Sequence, residues 1–138
     1  MVHRIIIGML ACAGFLISLY FSIASQGPAS RIERYVPQFC RIDPASCARL
    51  LQTAEARLFG IPNSYLGLLF YTALIGSTLL SSLWQQLHFM LFFGSFLAVC
   101  AGVYLTYVLL IRMKIRCMLC LASHAINLLI FLVLLTMQ

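Results

Sequence analysis

The apolar residues of this chain gather into four long runs, at positions 5–24, 63–83, 87–111 and 117–137, separated by short polar breaks and one long mixed segment at 25–62. Each run reaches the length of about 20 residues that a helix needs to cross the hydrocarbon core of a bilayer. Because lipid offers no hydrogen bonds to exposed backbone groups, runs of this kind predict helices. The pattern predicts an all-α, integral-membrane four-helix bundle, read as a single domain over residues 1–138. Arg4 ahead of the first run, with Ser22, Ala24 and Ser25 near its end, imitates a cleavable signal. The run is longer than the roughly 7–15 residues of a signal's apolar region, so it is expected to remain as the first span.

The polar breaks refine this picture. A hairpin turn is expected around residues 82–88, with Trp84 at interface depth. In the third span Gly94, Ala98 and Gly102 recur every four residues, a spacing that lets membrane helices approach closely. The long segment carries a helix of its own: Asp43 reads as its N-cap and Pro44 as its first residue, and it is expected to run to about Leu58. At helical spacing Cys47, Leu50, Leu51, Ala54 and Leu58 share a face about 100° wide, with Arg49, Gln52, Thr53 and Arg57 opposite. This loop helix is expected to lie on the membrane surface between spans one and two, with Cys47 facing inward and Cys40 in the polar chain before it.

Composition narrows the chemistry. At 63% hydrophobic and 9% charged residues, with three acidic residues in all, the chain excludes a soluble domain and leaves little room for carboxylate catalysis. It has no HExxH pattern and no Gly-rich phosphate loop. The formal net charge of +6 would suggest nucleic acid in a soluble protein. Here the anionic headgroups of the lipid bilayer are the expected partner, and nucleic acid is not.

Cysteine stands out against this background. Cys12 and Cys100 lie inside apolar runs and are expected to act as small packing residues. The other four form two pairs, Cys40/Cys47 in the long loop and Cys117/Cys120 at the start of the last span. With four spans, both pairs must face the same side of the membrane. Cys117-x-x-Cys120 follows Arg112, Lys114 and Arg116 and opens a helix. A helix N-terminus and nearby cations both favour the thiolate, so this dithiol is expected to be reactive. Further along, His124 and Asn127 share its face of the helix. Polar groups within a span are costly unless they meet a partner or a cavity. These two therefore either hydrogen-bond between helices or line a ligand pocket, to which Asn63, at the start of span two, would add a donor.

The arrangement resembles the vitamin K epoxide reductase family over nearly the whole chain. The resemblance rests on Cys40-x6-Cys47 in the first loop, on Gly60-Ile61-Pro62-Asn63-Ser64-Tyr65-Leu66-Gly67 running into Phe70-Tyr71, on Ala101-Gly102-Val103-Tyr104-Leu105 in span three, and on Cys117-x-x-Cys120 followed by Ala125-Ile126-Asn127. It implies a membrane thiol oxidoreductase that couples protein dithiols to a quinone of ubiquinone, menaquinone or vitamin K type. It assigns Cys120 to the quinone, Cys117 to exchange with Cys47, and Cys40 to a thioredoxin-fold, DsbA-like partner. Because no such domain is fused to the chain, that partner is expected as a separate protein. The resemblance also puts Asn63 at one quinone carbonyl and Thr53 near the loop cysteines, although the helical face assigned above turns Thr53 away from Cys47. His124 stands where the vertebrate enzymes have a quinone-contacting Tyr, a departure that points away from the vertebrate epoxide substrate.

Thiol–disulfide exchange runs toward the stronger oxidant. The expected flow is from the reduced partner through Cys40/Cys47 and Cys117/Cys120 to quinone, supporting disulfide formation in exported proteins. Such chemistry belongs in an oxidising compartment, so both dithiols are expected on the periplasmic or extracellular side of an inner or plasma membrane. The positive-inside rule points the other way: Arg31, Arg34, Arg41, Arg49, Arg57, Arg112, Lys114 and Arg116 lie on the dithiol side, against Arg4 on the other. Competing functional readings are a vitamin K quinone or epoxide reductase proper, a non-catalytic membrane protein binding metal through the four thiolates, and an assembly subunit with static disulfides. No metal is expected, because the six-residue gap of the loop pair is wider than the usual two to four of structural zinc motifs.

Overall fold

A computed structural model describes residues 2–26, 54, 57–58, 60–114 and 117–137. Helix α1 (Val2–Gln26) is followed by a two-residue strand β1 (Arg57–Leu58), its antiparallel partner β2 (Ile61–Pro62), and helices α2 (Asn63–Leu79), α3 (Ser81–Tyr107) and α4 (Met118–Leu135). These four helices close a ring in which α1 packs on α2 and α4, and α3 packs on α2 and α4. The expected four-helix bundle is what forms. The first, third and fourth helices are long and apolar enough to cross a membrane. At 17 residues α2 is about 26 Å long against a hydrocarbon core of roughly 30 Å.

Two turns differ from expectation. The α2–α3 reversal is made by Leu80 alone, in extended conformation, and not by residues 82–88. Leu80 still donates its N–H to Gly76 O at 3.1 Å and accepts from Trp84 N at 3.1 Å, so the chain changes direction with its backbone groups paired. The region expected to turn contains no helix breaker. Gln85 and Gln86 are simply the exposed face of α3's first turns. Trp84 is buried in the bundle rather than set out at the lipid interface.

The second difference concerns the loop helix. Most of it, with Cys40, Cys47 and Thr53, lies outside the described residues. Its expected end does not: Arg57 and Leu58 pair with Pro62 and Ile61 as strand, so any helix stops before Arg57. Gly60, at φ +81°, makes the reversal possible, since that conformation is strained for a residue with a Cβ. Pro62 favours an extended conformation at Ile61. Ala54, expected on the buried face, is exposed.

The bundle's two ends are held differently. At one end Arg4 of α1 donates to Thr78 O at 2.7 Å and Ser77 O at 3.4 Å, taking up carbonyls that α2's last turn leaves without intrahelical donors. Its guanidinium lies 5.5 Å from the centre of the Trp84 ring, a cation–π distance. A core of Ile7, Ala11, Tyr71, Leu74, Leu91, Ile130 and Leu134 from all four helices packs behind it. At the other end meet the C-terminus of α1, the N-termini of α2 and α4, and the C-terminus of α3. Gln26 there donates to the Tyr65 hydroxyl at 2.5 Å. Helix α3 ends there in a π turn, Val108–Arg112, closed by Met113 N donating to Val108 O at 2.9 Å. Lys114 follows in the left-handed region at φ 54°. Cys12 and Cys100, expected to pack, are exposed on the bundle's outer surface.

Candidate functional site

Helix α4 begins where the chain leaves the left-handed Lys114 and returns as Cys117, the N-cap residue in extended conformation. No side-chain cap is made there, and no acidic residue stands in the first turn. The free N–H groups and positive dipole end of α4 therefore lie beside the dithiol. Cys120, one turn further on, brings its sulfur to 2.6 Å from that of Cys117. The two are not equivalent. Cys117 is fully buried in a cluster with Phe21 and Leu109, whereas Cys120 forms part of the wall of an open cavity of about 360 Å³ lined by all four helices.

Most of that cavity's polar groups come from two helices, α2 and α4, and α1 adds Ser18 and Ser25. Asn63 and Ser64 open α2, directly after the β2 strand that aims them inward, and Tyr71 follows two turns along. Helix α4 contributes Cys120, Ser123, His124 and Asn127, one face at helical spacing. The Tyr71 hydroxyl donates to Asn127 Oδ1 at 2.6 Å, a bond between α2 and α4, and Ser123 also lies in hydrogen-bonding relation to Tyr71. Close packing sets the tyrosine: a Cβ at Gly14 of α1 would overlap its ring.

His124 is different. Its Nδ1 is buried and has no hydrogen-bond partner among the described residues, and Ser64 Oγ is in the same state. The imidazole rests on bare backbone at Gly102, where an added Cβ would come within 3.0 Å of Nδ1. Gly94, Ala98 and Gly102, expected as a packing seam, also line the cavity, while Phe70 and His124 pack against the two glycines. Their small size makes space for a ligand as well as for a neighbouring helix.

Comparison with known proteins accords with this geometry. Residues 5–135 match the family described as the Vitamin K epoxide reductase family. The chain belongs to that family. It is 29% identical over 132 residues to mouse "Vitamin K epoxide reductase complex subunit 1", covering 86% of this chain and 80% of the mouse protein. Membership makes it an integral-membrane oxidoreductase related to vitamin K epoxide reductase.

Within this family member, the structure brings Cys117, Cys120, Asn63 and His124 to one end of the bundle, the last three around one cavity. Of the two polar residues below the dithiol, Asn127 takes the interhelical bond and His124 does not. Cys40 and Cys47 lie outside the described residues. The four-thiolate metal alternative needs both of them. Sequence reasoning left Tyr71 and Ser64 without a role. The signal for Tyr71 was a hydroxyl in mid-span, which in lipid demands a partner. For Ser64 it was adjacency to Asn63.

Proposed function

We propose that this protein is a quinone-linked thiol–disulfide oxidoreductase, acting as one domain, that reoxidises a separate thioredoxin-fold protein. The observation that carries the reading is the asymmetry of the CxxC pair: adjacent sulfurs, with Cys117 enclosed and Cys120 at the wall of a cavity holding unpartnered polar atoms. A cavity of about 360 Å³, largely apolar with a few convergent polar groups, suits one flat ring system. A bound quinone supplies a sink for two electrons and two protons and leaves as the hydroquinone.

The chain's own residues do the rest. Reduced partner thiols attack the Cys40–Cys47 disulfide through a mixed disulfide. The Cys40/Cys47 dithiol then reduces Cys117–Cys120, leaving the loop pair oxidised. Cys120, at the cavity wall, passes the two electrons on as its bond to Cys117 re-forms, and both thiol protons leave with them. Asn63 donates to one ring oxygen, and His124 offers its unpartnered ring nitrogen to the bound ring. Tyr71, bonded to Asn127, holds α2 and α4 at the spacing the cavity needs. The dithiols work on the periplasmic or extracellular face. The basic residues on that side serve the dithiol and the lipid headgroups rather than cytoplasmic retention. Labelling of Cys40 by a membrane-impermeant maleimide in intact, mildly reduced cells tests that orientation: protection of Cys40 would invert it.

The test of function is quinone reduction by purified protein supplied with a reduced thioredoxin-fold protein. Cys117→Ser stops turnover on this reading, and full activity in that variant would refute the relay. A second reading, direct reduction of vitamin K quinone or its epoxide, is favoured by the name of the mouse relative. It predicts turnover of the epoxide with the same dithiol.

A further inference from the structure

Helices α1 and α2 pack antiparallel, and their contacts keep one register toward the dithiol end. Gly14 makes room for the Tyr71 ring, and one turn further along α1, Ser18 Oγ stands 2.6 Å from where a Cβ of Gly67 would be. Each turn gained along α1 is a turn lost along α2, so the next rung sets Ser22 across from Asn63 and Ser64. Ser22 is only 3% exposed. Its Oγ and that of Ser64 are both buried without a partner among the described residues.

Other hydroxyls of this chain show that burial does not force such a state. Ser25, Ser77, Thr78 and Ser95 each donate to a carbonyl three residues back in their own helix. Ser22 has the same option on α1 and does not take it. Ser64, the second residue of α2, has no helical carbonyl behind it. Around the two hydroxyls, the first turn of α2 presents N–H groups without intrahelical acceptors, and Pro62 at the N-cap supplies no side-chain bond. Space adjoins them: Ser18, Ser25, Asn63 and Ser64 line the cavity, and Ser22 falls between Ser18 and Ser25 on one side of α1, within an arc of about 60°.

We propose that this corner of the cavity holds one ordered water, bonded to the Ser22 and Ser64 hydroxyls and to a free N–H of α2's first turn, with its remaining bond directed at the ring oxygen that Asn63 holds. A buried water needs about two to four polar partners and roughly 10–15 Å³ of space. The seam offers the first and the cavity the second. A contact through such a water is nearly as favourable as a direct hydrogen bond. The inference rests on the quinone reading above and adds Ser22 to it, as a positioning residue that acts on the ring only through the water.

The experiment is a double-mutant cycle on the full chain in detergent, read by melting temperature without quinone and by kcat/KM for a tailless benzoquinone with a small dithiol as reductant. Ser22→Ala and Ser64→Ala each lower the melting temperature, and the double variant lowers it no further, because either loss releases the same water. Each single variant also lowers kcat/KM about fivefold, the worth of one hydrogen bond, and the double variant again adds nothing. Ser64→Thr keeps the hydroxyl and keeps both values. Ser77→Ala, bonded within its own helix at the opposite end, adds its full melting effect to that of Ser22→Ala. Single variants that raise the melting temperature or leave it unchanged overturn the proposal, since the hydroxyls were then buried dry. Melting effects of Ser22→Ala and Ser64→Ala that simply add also overturn it, because no water is shared. Coupled melting effects with unchanged kcat/KM confine the water to a structural role and overturn its place at the ring. Folded wild-type protein that reduces no quinone removes the quinone reading itself, and with it the water's contact to the ring, whatever the melting cycle gives.

Discussion

The two ends of this bundle are built from the same four helices but have opposite local economies of polar groups. At the Arg4 end nearly every polar atom is occupied: Arg4 caps α2, Ser77 donates to Leu74 O, Thr78 donates to Ile75 O, and Trp84 carries the guanidinium. Among the buried side-chain atoms of the described residues, Arg4 Nε is the exception there. At the dithiol end Ser64 Oγ and His124 Nδ1 are buried without partners among the described residues in the wall of an open cavity, and Ser22 Oγ, in the last turns of α1, is unpartnered as well. An unsatisfied buried polar group costs about 1–3 kcal/mol, so a site that keeps several is poorly explained by stability alone. One end clasps the helices, and the other holds hydrogen-bonding capacity in reserve for a ligand.

Substitutions can break this division or sharpen it. The largest effect belongs to the dithiol. Cys117→Ser or Cys120→Ser is expected to lower quinone-reducing turnover about 10³-fold or more, with the melting temperature in detergent nearly unchanged. Substantial residual turnover in either would mean that the open end has another redox centre.

Next comes the clasp. Arg4→Met should cost about 2 kcal/mol of stability by removing charge-assisted bonds to α2 and the Trp84 contact, while the KM for quinone stays as it was. A raised KM at unchanged melting temperature would erase the distinction between the two ends. Asn63→Ala should do the reverse, reducing kcat/KM for quinone about tenfold, worth ~1.4 kcal/mol, at nearly constant stability.

Tyr71→Phe tests the boundary between the two regions, because its ring belongs to the packed core and its hydroxyl to the cavity wall. Interhelical hydrogen bonds in membranes average about 0.6 kcal/mol, and a melting shift of that size with a modest rise in KM is expected. The smallest effect is reserved for Cys12→Ala and Cys100→Ala. Both thiols face outward, and assays of turnover and melting should match the wild type.

How far the sequence could be read depended on what each feature rests on. Four apolar helices were legible because a bilayer imposes the length and apolarity of any helix that crosses it, and three of the four meet that demand. The face shared by Cys120, His124 and Asn127 was legible because helical periodicity is local. The α2–α3 turn was misread, since Gln85 and Gln86 looked like a break when they only mark the exposed side of a continuing helix. The loop helix was carried too far because the pairing of Arg57 and Leu58 with Pro62 and Ile61 depends on Gly60 folding the chain back, a contact that a helical wheel does not see.

The sequence by itself determined that this is a membrane bundle with a CxxC at a helix mouth and polar residues on one face below it. Those properties follow from solvent, periodicity and capping, all short-range. Tertiary structure alone decided that Cys117 is enclosed while Cys120 meets the cavity, that Asn127 is bonded to Tyr71 while His124 is not, and that the His124 imidazole packs against Gly102 of α3. These outcomes depend on which neighbouring helix lies across from each residue, and that is fixed only when the bundle closes.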